Sequence, residues 1–306
     1  MDRTACAQVS HDHAEPQAGT AATALGWVVV EHDGPWTPRA PDVPELGAAH
    51  AHLDAHPDVR LQLSRPVRLA HDPDALARRH LPGHRAPRTV LLGHASPDPA
   101  ARWLRRLEVP DDAALLGLDP AWCAAPTPPA LGEPVEGDVW LVCAHARRDA
   151  CCAQWGRPVA LALALAGHAV WETTHTGGHR FAGTTIVLPT GLSLGRLDRT
   201  TAVAAAEAHA AGRVDPTQLR GRCALPRAAQ AAEVALRQRL GVEGVDDVVV
   251  RSTVAVGGHL VVELEAAGTR WRAEVLDEPT GTPRPISDDA EPTDPGVRRV
   301  TALARA

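Results

Sequence analysis

Four side chains that can bind metal follow two apolar segments of this sequence, and this pattern constrains the fold more than any other feature. The first segment, Asp138 to Cys143 (DVWLVC), reads as a buried strand that ends on a cysteine. The second, Ala169 to Thr173, reads as another strand, and two histidines follow it. The helix-like segment Pro158 to Gly167 lies between them, which predicts two parallel strands in a β-α-β unit. The carboxyl ends of parallel strands meet at one edge of a sheet, so the cysteine and histidine side chains should converge there.

The converging side chains are Cys143, Cys152, His175 and His179. Cys151 stands beside Cys152 and is an alternative ligand. Thiolate and imidazole ligands select zinc, copper or iron–sulfur centres. Gly177 and Gly178 lie between the histidines and allow the backbone to turn tightly against an inorganic core. Spacing alone therefore predicts a Cys/His metal site, with zinc ahead of iron–sulfur.

The remaining cysteines show no paired spacing. They are Cys6, Cys123 and Cys223. A cysteine without such spacing is most often a small apolar core residue, and that is the interpretation for these three.

Composition and charge exclude several classes of protein. The formal net charge is −6 and all the basic residues are scattered arginines, so nucleic acid is not an expected partner. No apolar run is long enough to span a bilayer, and Met1 to Thr20 has no apolar signal segment. We expect a cytoplasmic protein whose thiols stay reduced, with no membrane contact. The absence of Lys, Asn and Tyr is typical of a GC-rich bacterial genome.

The sequence before the candidate site has an α/β pattern. Strands are predicted at Leu25 to His32, around Val59 to Leu63, and at Arg88 to Gly93. Pro99 to Leu107 is predicted as a helix. Residues 124–137 are rich in Pro and Gly and are predicted as a linker.

The sequence after the candidate site continues the alternation. Two strands, Thr184 to Pro189 and Leu192 to Leu197, precede an Ala-rich helix at Thr200 to Gly212. A further helix covers Pro226 to Leu240. Three strands are then predicted, at Asp246 to Val256, Gly258 to Glu265 and Thr269 to Val275.

Three groups of residues resemble the sucrase/ferredoxin-like family. The candidate site contains Cys-x-His-x-x-Arg-Asp-x-x-Cys at 143–152 and His-x-Gly-Gly-His at 175–179. An N-terminal group comprises Cys6 with the stretches 15–21 and 26–36. A later group begins with Arg-Gly-Arg-x-x-Leu-Pro at 220–226. The resemblance covers most of residues 6–240.

The resemblance implies a thioredoxin-like ferredoxin with a [2Fe–2S] cluster. In this bis-histidine group, histidines take the place of the second cysteine pair, which implies Cys143, Cys152, His175 and His179 as ligands. The implied function is one-electron transfer between redox proteins that the sequence does not identify, rather than catalysis on a substrate. Two thiolates and two neutral imidazoles leave the oxidised core formally neutral, whereas four thiolates leave it an anion. The reduction potential should therefore exceed that of plant-type ferredoxins, and the second N–H of a ligand imidazole can make it pH-dependent.

Residues beside the ligands have expected supporting roles. Arg148 and Asp149 are predicted to pair and brace the loop, or to be a solvated surface pair. His145 is predicted to bond a cluster sulfur or to lie at the surface, and Arg180 to help a partner dock. Gly177 and Gly178 belong to the same supporting set.

Two other functions stay open on the same fold. A thiol–disulfide oxidoreductase would use Cys151 and Cys152, although the usual Cys-x-x-Cys is absent. A structural zinc module would use the same four ligands.

The predicted architecture is an α/β protein with a thioredoxin-like ferredoxin domain of element order β-α-β-β-β-α. An α/β domain precedes it, for which a degenerate copy is one interpretation, and a small α+β segment follows. The predicted divisions are 1–123 for the N-terminal domain, 124–137 for the linker, 138–215 for the ferredoxin domain, 216–276 for the α+β segment and 277–306 for a flexible tail.

Overall fold

The computed structural model describes residues 5–69, 87–287 and 291–306, which form a ten-stranded sheet and a four-stranded sheet. The strands of the large sheet are β1 (Gly26–Glu31), β2 (Val59–Pro66), β3 (Arg88–His94), β4 (Trp103–Val109), β5 (Glu133–Pro134), β6 (Val139–Cys143), β7 (Ala169–Thr173), β8 (Thr185–Leu188), β9 (Leu192–Leu194) and β10 (Leu219–Arg222). The small sheet contains β11 (Val248–Val256), β12 (His259–Ala266), β13 (Thr269–Glu278) and β14 (Val297–Arg305). The α-helices in these ranges are α1 (Cys6–Asp12), α2 (Gly47–Leu53), α3 (Ala121–Ala124), α4 (Ala150–Leu165), α5 (Arg199–Ala210) and α6 (Arg227–Leu240).

The large sheet consists of two five-stranded halves with the same strand order. The first half runs β2-β1-β3-β4-β5 and the second runs β7-β6-β8-β9-β10. In each half the first two strands pair in parallel and the others pair antiparallel. The parallel strands are connected by α2 in the first half and by α4 in the second. The fourth and fifth strands of each half are separated in the chain by α3 and α5, respectively. The described residues of each half therefore build the same arrangement, β-α-β-β-β-α-β.

The two halves join where β2 pairs antiparallel with β7. The Ser64 hydroxyl donates to Thr173 Oγ1 at 2.7 Å. Beside it, Arg65 Nη2 lies 2.7 Å from Glu172 Oε2, and both side chains are buried. This junction makes the sheet continuous through both halves and fixes the start of the loop that follows β7.

Helix α4 packs its apolar face on the second half of the sheet. Asp149 is its N-cap, and Oδ1 of this residue accepts from the backbone N–H of Cys151 at 3.0 Å. The side chains of Val159, Leu163 and neighbouring alanines lie in the same buried cluster as Trp140 of β6. The helix ends before Gly167, which has φ +90°, a conformation typical of the glycine that follows a helix.

Most strands, and the helices after residue 150, were predicted correctly from the sequence. The helix predicted at Pro99 to Leu107 is wrong. Trp103 to Val109 forms β4, antiparallel to β3, and only Pro99–Ala101 is helical, as one 3₁₀ turn. The indole N–H of Trp103 donates to the Ala125 carbonyl at 3.0 Å. This buried tryptophan and the open edge of β3 override the local helical pattern.

Segments predicted as a linker and a tail also contribute strands. Residues 133–134 of the predicted linker form β5 on the edge of β4. In the predicted tail, β14 pairs with β13 over its full length and completes the small sheet. Two of its arginines face acidic partners, Arg298 beside Asp277 at 3.3 Å and Arg299 beside Glu278 at 2.6 Å. Strand pairing and cross-strand charge thus order a segment whose composition suggested a loose chain. Within the described ranges, no helix has the length and apolar character needed to cross a bilayer.

Replacing Glu172 by Gln should lower the free energy of unfolding by about 3 kcal/mol, because Arg65 would be left buried without its carboxylate. Urea unfolding at neutral pH measures this. Glu265→Gln is the matched control, since its partner Arg251 is largely exposed, and its effect should stay below about 1 kcal/mol. Equal effects of the two substitutions would contradict a structural role for the buried pair.

Candidate metal centre

The structure brings three of the four predicted ligands together at the predicted sheet edge. Cys143 ends β6, Cys152 lies in the first turn of α4, and His175 follows β7. Nδ1 of His175 is 3.9 Å from the Cys143 sulfur and 3.7 Å from the Cys152 sulfur. The three ligand atoms lie within 4.8 Å of one another. Both cysteines are buried, and His175 is partly buried.

Cys152, rather than Cys151, lies with Cys143 and His175. Successive residues of an α-helix point about 100° apart, so the two neighbours in α4 face different ways. The Cys151 sulfur lies 3.5 Å from the Cys6 sulfur of α1 instead. Geometry thus separates two positions that the sequence left open.

His179 occupies a different position from the other three. Its ring centre is 4.9 Å from that of His175. Its Nε2 donates a hydrogen bond to the Ile286 carbonyl and lies 3.7 Å from Asp149 Oδ2. A carbonyl oxygen only accepts, so Nε2 carries the proton and Nδ1 carries the lone pair. Nδ1 is buried and has no hydrogen-bond partner among the described residues.

A second group of metal-ligating side chains lies beside the first. It consists of Cys6, Asp149 and His179, whose ligand atoms also lie within 4.8 Å of one another. The Cys6 sulfur is 3.8 Å from each carboxylate oxygen of Asp149. Sequence spacing could not find Cys6, because Asp149 is 143 residues away in the chain. Its only signal was its position in the N-terminal group that resembles the family.

The two cysteines nearest His175 have unequal acidity. The hydrogen bond from Cys152, and after it the interactions with His175, lower the pKa of the Cys143 thiol well below its usual value. The pKa of Cys152 is raised by its bond to Cys143 and by burial. Cys143 is therefore the more acidic thiol of the pair, and the thiolate is the form that binds metal.

The glycines between the histidines allow a buried arginine to approach. Gly177 and Gly178 both have positive φ, +90° and +74°. Arg220 Nη1 donates to the Gly177 carbonyl at 3.0 Å, and a Cβ on Gly178 would lie 2.3 Å from Arg220 Nη2. Arg220, 1% exposed, thus holds this loop, a role that the sequence reasoning missed although the residue opens the later family-like group.

His145 is buried beside His175, whereas Arg148 is exposed. The backbone N–H of His175 donates to Nδ1 of His145 at 3.2 Å. Nε2 of His145 lies 2.8 Å from the Thr37 carbonyl, so this buried ring ties the loop after β7 to the first half. Burial lowers the pKa of His145, which favours the neutral ring. Arg148 is exposed and borders a cavity of about 310 Å³ that also reaches His175.

Asp149 and Arg180 each have polar partners other than Cys143, Cys152 and His175. Asp149 is 4% exposed, caps α4 and accepts a hydrogen bond from the Ser287 hydroxyl at 3.0 Å. Arg180 Nε lies 2.7 Å from Glu15 Oε1, and its side chain is 17% exposed. Arg180 therefore anchors the segment after α1 rather than projecting from the surface.

Helix α4 touches the backbone of the site at Gly156. A Cβ at this position would lie 1.9 Å from the Cys143 carbonyl oxygen. The absence of a side chain lets the helix approach β6 closely enough to bring Cys152 next to Cys143.

The cysteine and histidine side chains at this site fit the metal centre predicted from the sequence. Two cysteine sulfurs and an imidazole nitrogen lie within 4.8 Å of one another, and His179 Nδ1 is buried without a hydrogen-bond partner among the described residues. A buried acceptor without a partner is costly, and metal ligation would satisfy it. Soft sulfur and borderline nitrogen donors are those that iron–sulfur and zinc centres require.

The chain belongs to the sucrase/ferredoxin-like family, whose model matches residues 18–221, more than half of its length. The matched region runs from before β1 into the last strand of the large sheet, β10, and contains the four predicted ligands. Cys6, Ile286 and Ser287 lie outside it. The comparisons with curated proteins and with solved structures found no significant match.

Replacing Gly156 by Ala should destabilise the protein and separate Cys152 from Cys143, because the added methyl group meets the Cys143 carbonyl. We expect a loss of about 2 kcal/mol or more of unfolding free energy together with reduced metal content. Thermal unfolding and metal analysis measure the two effects. Gly117→Ala is the control, since a Cβ there meets nothing within 4 Å. Normal stability and metal content in Gly156→Ala would refute the close approach.

Proposed function

We propose that the protein transfers single electrons through a [2Fe–2S] cluster bound by Cys143, Cys152, His175 and His179. The observation that carries the proposal is the convergence of Cys143, Cys152 and His175 within 4.8 Å, next to a His179 whose buried Nδ1 has no partner among the described residues. When bound, such a cluster supplies a one-electron redox couple, with a potential above that of four-cysteine ferredoxins. Donor and acceptor would be other redox proteins.

The strand order supports a thioredoxin-like ferredoxin fold for the second half and a degenerate copy in the first. The position of Cys143 at the end of β6 corresponds to the end of β1, where Glu31 and His32 are buried. Arg88, also buried, donates to the Glu31 carbonyl at 2.9 Å. A network of charged and polar groups therefore fills the place that the thiolate takes in the second half.

The protein's own residues would hold the cluster and exclude water from it. Both cysteines are about 1% exposed, and Phe181, which follows the His179 turn, is fully buried. Burial lowers the pKa of His179, which favours the neutral ring that a metal ligand requires. A reducing compartment such as the cytoplasm would keep these thiols available for binding.

Structural zinc is the second candidate, and two distances favour it. Ligand atoms around a tetrahedral zinc ion lie about 3.5 Å apart, given bonds of about 2.3 Å to sulfur and about 2.0 Å to nitrogen. The separations of His175 Nδ1 from the two sulfurs, 3.9 Å and 3.7 Å, approach this value. Thiol–disulfide exchange has less support, because Cys151 and Cys152 are both buried, out of reach of a disulfide substrate.

Anaerobically purified protein should be coloured, contain about two iron ions per chain, and give an EPR signal after reduction with dithionite. His175→Cys and His179→Cys should each change the g-values, because a thiolate would replace an imidazole on iron. A colourless protein that contains zinc would refute the cluster. Unchanged g-values in both variants would refute histidine ligation.

Cys152→Ser should lose most of the iron, whereas Cys151→Ser should retain it, because only the Cys152 sulfur faces His175. Iron and acid-labile sulfide analysis measures both variants, and circular dichroism checks that each is folded. Iron retained in Cys152→Ser and lost in Cys151→Ser would reverse the assignment of these neighbours.

A further inference from the structure

A C-terminal segment outside the family match reaches the candidate site. Residues 279–296 connect β13 to β14. Near the base, Asp294 accepts hydrogen bonds from the backbone N–H groups of Thr280 at 2.9 Å and Gly281 at 2.7 Å. Further along, Arg284 and Thr293 pair as an antiparallel bridge, with both N–H···O distances 3.0 Å. The connection is thus tied at its base and across its middle.

Two described residues of this segment, Ile286 and Ser287, contact His179 and Asp149. The Ile286 carbonyl accepts from His179 Nε2. The Ser287 hydroxyl donates to Asp149 Oδ2 at 3.0 Å. Arg284, 6% exposed, lies 3.3 Å from Glu15 Oε2 and anchors the segment to the N-terminal residues.

These contacts decide which nitrogen of His179 is available to a metal. Asp149 Oδ2 is 3.7 Å from His179 Nε2, beyond a normal hydrogen bond, so the carboxylate alone does not fix the proton there. The Ile286 carbonyl does, because it can only accept. Ser287 holds the carboxylate beside the ring. With the proton on Nε2, the lone pair on Nδ1 is free for ligation.

We propose that residues 284–287 act as a positioning element for His179. The element holds the ring as the Nε2–H tautomer, and it thereby tunes the metal centre from outside the family region. This inference rests on the proposed function, since a tuned centre presupposes that His179 is a ligand. Acceptors for the outer N–H of a metal-bound histidine orient the ring and make it a stronger electron donor.

The variant that tests the proposal replaces residues 285–292 by Asn-Gly. Arg284 and Thr293 already form a hydrogen-bonded antiparallel pair, which a two-residue turn closes well. The variant keeps β13, β14 and the Arg284–Glu15 contact but removes both contacts to the site. Gly257→Asn, which alters the turn between β11 and β12, is the matched control, because a side chain there meets nothing within 4 Å.

The first measurement does not need a bound cluster. In iron-free full-length protein labelled with ¹⁵N-histidine, long-range ¹H–¹⁵N spectra report the tautomer of each ring, and His179→Gln assigns the signal. We expect the Nε2–H form in the unaltered protein and in Gly257→Asn, and a mixture of tautomers in the turn variant. An Nδ1–H form in the unaltered protein, or the same tautomer in all three proteins, would overturn the proposal.

The second measurement uses the iron-loaded chain. The turn variant should have a higher reduction potential, because its imidazole donates less strongly and added water stabilises the reduced charge. It should also release iron to a chelator about tenfold faster. Ser287→Ala should accelerate release less, and Ser287→Thr should restore the original rate. Unchanged potential and release in a turn variant that carries the cluster would refute this inference alone, whereas unaltered protein without iron–sulfur would refute the proposed function.

Discussion

The pairing of β2 with β7 is the constraint on which both the sheet and the candidate site depend. β2 is the end strand of the first half and β7 is the end strand of the second. Without this pairing, both would be edge strands with unpaired backbone groups, which proteins avoid exposing. Pairing removes both edges at once. Hydrogen bonds to β2 continue one residue beyond the end of β7. The Thr174 hydroxyl accepts from the Leu63 N–H at 3.2 Å, and the Thr174 N–H donates to the Leu63 carbonyl at 2.9 Å. His175 is the next residue. The first half therefore fixes the start of the loop that follows β7, although it supplies none of the four predicted ligands.

Local pattern sufficed for elements whose burial alternates or runs continuously along the chain. The apolar stretch ending at Cys143 and the Ala-rich helix α5 were predictable for this reason. Pattern failed where a distant partner decides the structure. Trp103, Leu104 and Leu107 have helical spacing, yet β3 offers an open edge to them. The composition around β14 suggested a loose tail because the sequence does not show that β13 lies opposite it.

The candidate site shows the same division between local and distant information. Strand ends identified Cys143 and His175 as neighbours, because β-α-β geometry is regular. His179 lies beside His175 but apart from Cys143 and Cys152. The choice between Cys151 and Cys152 needed the rotational phase of α4, which depends on where its N-cap, Asp149, begins the helix. Cys6, Ile286 and Ser287 come from opposite ends of the chain. No spacing rule links such positions, so only the folded structure brings them to Asp149 and His179.

The two histidines are chemically alike but differ in their surroundings. His175 borders a cavity whose other wall comes from the first half, including Arg60 and Gln62. Its backbone is held by His145, which is tied in turn to Thr37. His179 faces the C-terminal segment and a buried carboxylate, and its side chain is 11% exposed. The first half of the large sheet thus lines the surroundings of His175, and the C-terminal segment lines those of His179. The two histidines therefore have different surroundings, so substitutions at the two positions need not have equal effects.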